Sequence, residues 1–171
     1  MNAALVSNLE RLRGMCSRFP ESVIALLARF SLAATFWLSG QTKITGFAVN
    51  VIEGRYEFGW PSLGPSTVFL FEEEYKLPLI PPEPAAYLAA TAEHVLPVLL
   101  LVGLATRASA LGLLGMTLVI QIFVYPGAYA VHGTWAALLL YLIARGPGAI
   151  SLDRLVWPRL SRSTPARGTR S

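Results

Sequence analysis

Long apolar runs alternate with short polar breaks along this chain, and the runs carry the period of a helix rather than of a strand. Residues 2–19 place Leu5, Leu9, Leu12, Cys16 and Phe19 at spacings of three and four, with Asn8, Arg11 and Arg18 opposite. That pattern predicts an amphipathic helix whose basic face suits the inner headgroup layer of a membrane. Four further runs follow at about 22–43, 84–105, 108–125 and 129–145. Each is close to the ~20 residues that cross a ~30 Å hydrocarbon core. The fourth is the shortest and stops at Gly146-Pro147-Gly148, where a helix does not continue. Only Thr106-Arg107 separates the second run from the third, so these two should form a tight antiparallel pair.

The expected fold is therefore all-α: an integral membrane four-helix bundle with an N-terminal amphipathic interfacial helix and a long outer loop between spans one and two. Its parts are an interfacial segment at 1–21, the transmembrane domain at 22–150 and a basic cytoplasmic tail at 151–171. In the tail Ser151 is a candidate cap for a last interfacial turn, and 161–171 reads as disordered. The loop, about 47–84, is rich in Gly, Pro, aromatic and acidic residues and should hold a short helix over 66–76, capped by Ser66. Loops of this length seldom lack structure or function of their own. The first residues do not read as a secretory signal, since they lack an apolar core and an Ala-x-Ala site.

Charge sets the expected orientation. Arg11, Arg13 and Arg18 precede the first span, Arg107 lies between the second and third, and six arginines run from Arg145 onward. The first connection instead holds Glu53, Glu57, Glu72, Glu73, Glu74 and Glu83 against Arg55 and Lys76. Positive charge stays in the cytoplasm, so both termini should face it, which requires an even number of spans. Composition agrees: 54% of the 171 residues are hydrophobic and 14% charged, well below the roughly 25% of a soluble domain. The isoelectric point near 9.6 would fit a nucleic-acid binder. The arginines beside apolar spans fit anionic lipid instead, and nucleic acid is not expected as a partner. Cys16 is the single cysteine, which excludes an internal disulfide or a Cys-x-x-Cys pair.

Within the spans a few residues are out of place in hydrocarbon. Arg29 and the Glu93-His94 pair sit in apolar runs, where a charge at a helix centre costs roughly 2.5–3.5 kcal/mol. At ~1.5 Å per residue, Arg29 lies roughly 10 Å above the inner edge, Glu93 roughly 18 Å and Gln121 roughly 21 Å. Arg29 and Glu93 are thus candidates for a buried ion pair joining the first two spans. The alternative is that Arg29, Glu93 and His94 form a ligand pocket. Pro97 frees the carbonyl of Glu93 beside that pocket. Thr117, Gln121 and Tyr125 recur every four residues, either as glue between helices or as a cavity wall, while Ala108, Gly112 and Gly115 permit close packing. Ser39 and Lys43 gather polarity at the outer end of the first span, where Lys43 can snorkel to water. His94 and His132 differ in depth, which argues against a haem held by both, and His132 beside Trp135 reads as an interface anchor. Glu72-Glu73-Glu74 point in different directions on a helix, so no metal site is expected.

The chain resembles the DoxX family of small four-helix bacterial membrane proteins over about 22–150. The resemblance rests on Arg29-Phe30, Ser39-Gly40-x-x-Lys43, Glu93 ahead of a Leu-rich run and Gly103-Leu104-x-Thr106-Arg107. It continues through the Pro126 region and His132 with Trp135 before the closing Gly-Pro. The resemblance implies a bundle in the bacterial inner membrane and a component of a redox or metal-stress system, with no intrinsic cofactor, quinone as a candidate exchangeable one, and a protein partner carrying the redox centre. Some relatives are tied to thiosulfate:quinone oxidoreduction or thiol stress. Others look like accessories of copper-handling peptide-maturation systems, and the long acidic loop here resembles those. The competing expectation is non-enzymatic, a scaffold whose outer loop docks a periplasmic partner. The candidate pocket residues are Arg29, Ser39, Lys43, Glu93, His94, Gln121 and Tyr125.

Overall fold

The computed structural model describes residues 3–16 and 18–156. Helix α1 is Ala3–Cys16; the apolar face drawn through Leu5, Leu9, Leu12 and Cys16 rests on side chains outside the described set. The expectations for 157–171 also lie outside it. The bundle consists of α2 (Glu21–Gln41), α4 (Pro82–Val102), α5 (Thr106–Val119) and α6 (Tyr129–Arg145). Helix α5 runs on as a π-helical turn, Ile120–Val124, and a 3-10 turn at Pro126–Ala128 leads into α6. Four stretches are long and apolar enough to cross a membrane: Glu21–Gln41, Pro82–Val102, Thr106–Val124 and Pro126–Arg145.

Neighbours run α2–α4–α5–α6 and back to α2. The terminal end of the bundle holds the start of α2 and the end of α6; the hairpin end is opposite. Ala25, Ala28, Leu32, Phe36, Leu100, Ala110, Leu113, Leu139 and Leu142 make one apolar cluster between the helices. Close approach of α2 to α4 depends on Gly40: a Cβ there would sit 2.8 Å from the His94 ring and 3.0 Å from Glu93 Cβ. Gly112 likewise seats Leu96 of α4, whereas a Cβ at Gly115 would meet nothing.

The connection between α2 and α4 is more ordered than its composition suggests, and the fold is not all-α. Strand β1 (Ile44–Asn50) pairs antiparallel with β2 (Arg55–Leu63), Phe47 opposite Phe58 and Asn50 opposite Arg55. The Asn50 side chain accepts from the amides of Ile52 and Glu53 and so shapes the turn. Gly46, at φ 83°, provides the irregularity that lets β2 pass, since a Cβ would lie 2.4 Å from Trp60 O. The hairpin is tied to α2 at Val49, whose amide donates to Gln41 Oε1 (2.7 Å) and whose carbonyl accepts from Trp37 Nε1 (2.8 Å). The expected helix over 66–76 divides into α3 (Thr67–Leu70) and a π-helical turn, Phe71–Tyr75, ended by Lys76 in the left-handed region. Ser66 stands at the N-cap position without a side-chain capping bond.

Candidate functional site

Arg29 does not pair with Glu93. Its guanidinium is buried at the terminal end and donates four hydrogen bonds to backbone carbonyls: Nε to Leu100 (2.8 Å), Nη2 to Leu101 (2.5 Å), and Nη1 to Pro147 (3.0 Å) and Ile150 (2.6 Å). Leu100 and Leu101 lie in the last turn of α4, whose carbonyls lack partners within the helix and carry the negative end of its dipole. Depths counted from the span edges start α2 and α4 from one plane, which the two helices do not share. The contacts show that the first two turns of α2 extend past the end of α4, which brings Arg29 level with Leu100.

The segment after α6 completes this end. Asp153 accepts from the amides of Ala105 (2.7 Å) and Thr106 (2.9 Å), capping α5 from outside, and its own amide donates to Gly103 O (2.8 Å). Gly103, at φ 72°, has no room for a Cβ, which would lie 2.7 Å from Arg29 Nη2. The expected last turn is present over 152–156, directly after Ser151, whose hydroxyl donates to Gly148 O.

Glu93 finds its partner at the hairpin end. Lys43, expected to reach outward to water, turns inward instead: Nζ lies 2.7 Å from Glu93 Oε2, with both side chains almost completely buried. It also contacts Ser39 Oγ (3.1 Å) and Ser39 O (3.3 Å), and Ser39 Oγ donates to Glu93 Oε1 (3.2 Å). The backbone that aims Lys43 is pinned, since its carbonyl accepts from Thr67 Oγ1 (2.8 Å) and from the amide of Gly64 (2.9 Å). The spacing Ser39-Gly40-x-x-Lys43 thus has a physical content. Gly40 admits α4, Ser39 holds the carboxylate, and Lys43 closes over it from the next turn.

A cavity of about 370 Å³ opens beside this pair, among α2, α4, α5, α6 and the 71–80 segment. Its wall includes Phe36, Phe71, Tyr75 and Trp135, with Ser39, Lys43, Glu93, Tyr125 and His132 as polar groups. Of the seven pocket candidates the structure brings Ser39, Lys43, Glu93 and Tyr125 to one cavity. Arg29 lies at the other end. His94 faces a groove under the hairpin, its ring against Trp37 (5.0 Å between centroids). Its Nδ1 is 2.6 Å from Ala90 O and its Nε2 is 2.9 Å from the Gln41 amide nitrogen.

Gln121 acts from behind a residue that reads in sequence as an interface anchor. His132 is buried, packed on Trp135 (5.1 Å) with Nδ1 2.8 Å from Gln121 Oε1. Gln121 Nε2 donates to Pro126 O (2.7 Å), which orients the amide so that its oxygen can only accept. The His132 proton is therefore on Nδ1, and Nε2 is left as an acceptor on a ring that lines the cavity. The signal was available in sequence as Gln121-x4-Pro126 followed by His132. The π-helical turn that brings Gln121 round to the histidine was not.

At the cavity mouth the Tyr125 hydroxyl donates to Glu74, and the rings of Tyr75 and Tyr125 lie edge to face at 5.9 Å. The bond to Glu74, then burial, raises the Tyr125 phenol well above the ordinary tyrosine range; burial does the same for Tyr75. Among the described residues no three His, Cys, Asp or Glu side chains gather into a metal-binding group.

Four apolar helices around a mostly apolar cavity with a few polar groups define a multi-pass membrane protein of the small-bundle type. The DoxX family model matches residues 24–126, more than half of the chain, and the chain belongs to the DoxX family. No curated protein and no solved structure shows significant similarity to it.

Proposed function

We propose that this DoxX protein binds a quinone-type ring in the cavity between Lys43–Glu93 and His132, as the membrane component of a redox system whose electrons come from a partner protein. The observation that carries this reading is the cavity itself. It lies inside spanning helices, its volume falls within the roughly 300–1,000 Å³ usual for small-ligand sites, and aromatic walls enclose a few convergent polar groups. Quinone reduction takes up two electrons and two protons, and quinol oxidation returns them. Glu93 can hold and pass one proton beside Lys43, whose ammonium also suits a ring carbonyl oxygen. His132 Nε2 suits a ring hydroxyl. Arg29 and His94 have no part in this scheme.

The same reading places the protein in the bacterial inner membrane with the hairpin end outside, in line with the arginines at the terminal end. The test is extraction of protein purified in native lipid discs. Quinone should accompany the wild type near one per chain and fall at least fivefold in the double variant Lys43→Met with Glu93→Gln, in which no buried charge is left unpaired. A folded wild type without quinone refutes the reading.

A further inference from the structure

The cavity is built unequally toward its two ends. At the hairpin end a polar crevice of about 330 Å³ is lined by Thr42, Lys43, Ser66, Thr67, Glu73 and Glu74 among others. Lys43 lines both this crevice and the cavity, so this one residue stands between them, its carbonyl held by Thr67 and its ammonium by Glu93. Glu74 forms a second link, because it belongs to the crevice and accepts from Tyr125, which lines the cavity. Glu73 and Glu74 are exposed to solvent. Toward the terminal end the interior is closed by Leu32, Leu100, Leu113, Leu139 and Leu142, each buried to 1% exposure or less. The nearby Thr117 hydroxyl donates to Leu113 O in its own helix, and Arg29 fastens the end beyond.

We propose that the Lys43–Glu93 pair exchanges protons with the aqueous phase at the hairpin end alone, through the crevice between Thr42 and the 66–74 segment. Glu93 is met directly by Lys43 and Ser39 from α2 and its extension, and Tyr75, Tyr125 and His132 line the same cavity; His94, next to it on α4, turns to the groove under the hairpin. A proton arriving on Glu93 neutralises the carboxylate. Lys43 then releases one of its own to crevice water or to Glu73 and Glu74, and recovers it from Glu93; uptake runs the same steps in reverse. With the quinone reading, on which only this coupling rests, ring chemistry in the cavity draws or delivers its protons on one side of the membrane. The access route itself is independent of any ligand.

Ser39→Cys in a Cys16→Ser background places a thiol beside the Lys43 ammonium with little change in volume. In ligand-free proteoliposomes of known orientation, a small cationic thiosulfonate reagent should label it from the hairpin side. Labelling from the terminal side should be at least tenfold slower. Ser66→Trp, which fills the crevice, should slow the reaction at least tenfold without changing thermal stability. Ser109→Cys, a turn beyond Leu113 toward the terminal end, should stay unlabelled from the hairpin side. Equal labelling from both sides, faster labelling from the terminal side, or no labelling of the folded protein would each overturn the route. Because no quinone is present, a failed quinone assay leaves this result intact, and the reverse also holds.

Discussion

Lys43 Nζ and Glu93 Oε2 lie 2.7 Å apart, joining the strand side of α2 to the middle of α4 where neither charge meets bulk water. Removing one member of such a pair leaves the other charged and buried, at about 3–5 kcal/mol. Lys43→Met should therefore lower the unfolding midpoint sharply. The double variant Lys43→Met with Glu93→Gln should recover most of the loss, because two neutral groups need no counter-charge. Thermal unfolding in detergent reads both, and a double variant no better than the single would show that the pair is not the coupled unit.

Arg29 predicts a different pattern. Its donors serve four carbonyls on two segments, a geometry that an ammonium cannot reproduce. Arg29→Lys should lose nearly as much stability as Arg29→Ala, about 3 kcal/mol or more. Both should also expose 146–156 to limited proteolysis before the bundle unfolds. Wild-type resistance in either variant would contradict the clamp.

The two histidines share one protonation pattern for unrelated reasons. Ala90 O holds the proton of His94 on Nδ1, and Gln121 holds that of His132 on the same atom. Nitrogen-15 histidine spectra at pH 8 should show two Nδ1–H tautomers, with His94→Asn assigning the survivor. Gln121→Leu should release His132 alone to the mixed tautomers of a free imidazole.

The Tyr125–Glu74 contact sets an alkaline limit. A phenol whose pKa is raised on folding stabilises the fold fully below the ordinary value of 10, and the contribution is lost as pH rises through the higher folded value. The Tyr125–Glu74 bond should hold at neutral pH. In ultraviolet titration Tyr125 should ionise late, and Glu74→Gln should move its midpoint toward 10. An unchanged titration in that variant would refute the contact.

Apolar periodicity carries the four spans because each is a run of ~20 residues with one dominant period, and the bundle follows from their short connections. The polar residues that matter were visible as residues but not as partners. Depth counted from span edges paired Arg29 with Glu93, since it could not show how far α2 slides past α4. The small residue that fixes that register, Gly40, lies beside Ser39 in the resemblance motif, yet its meaning needs the His94 ring against it. The hairpin was legible in part: Phe47, Val49 and Val51 alternate, and Asn50 with Gly54 marks a turn. Gly, Pro and acid in the same stretch masked it as loop. His132 was misplaced because nearness to a span edge said water, while the π-helical turn at Ile120–Val124 folds Gln121 over it.

The most direct test of the quinone reading is to ask where a quinone touches the chain. A ubiquinone analogue with a photoreactive group on its ring, irradiated with the protein in lipid discs, should mark peptides covering 71–80 and 116–135, and excess unlabelled quinone should abolish the marks. Labels confined to exposed positions away from the cavity, such as Leu27, Leu111 and Leu140, or insensitive to competition, would contradict the account.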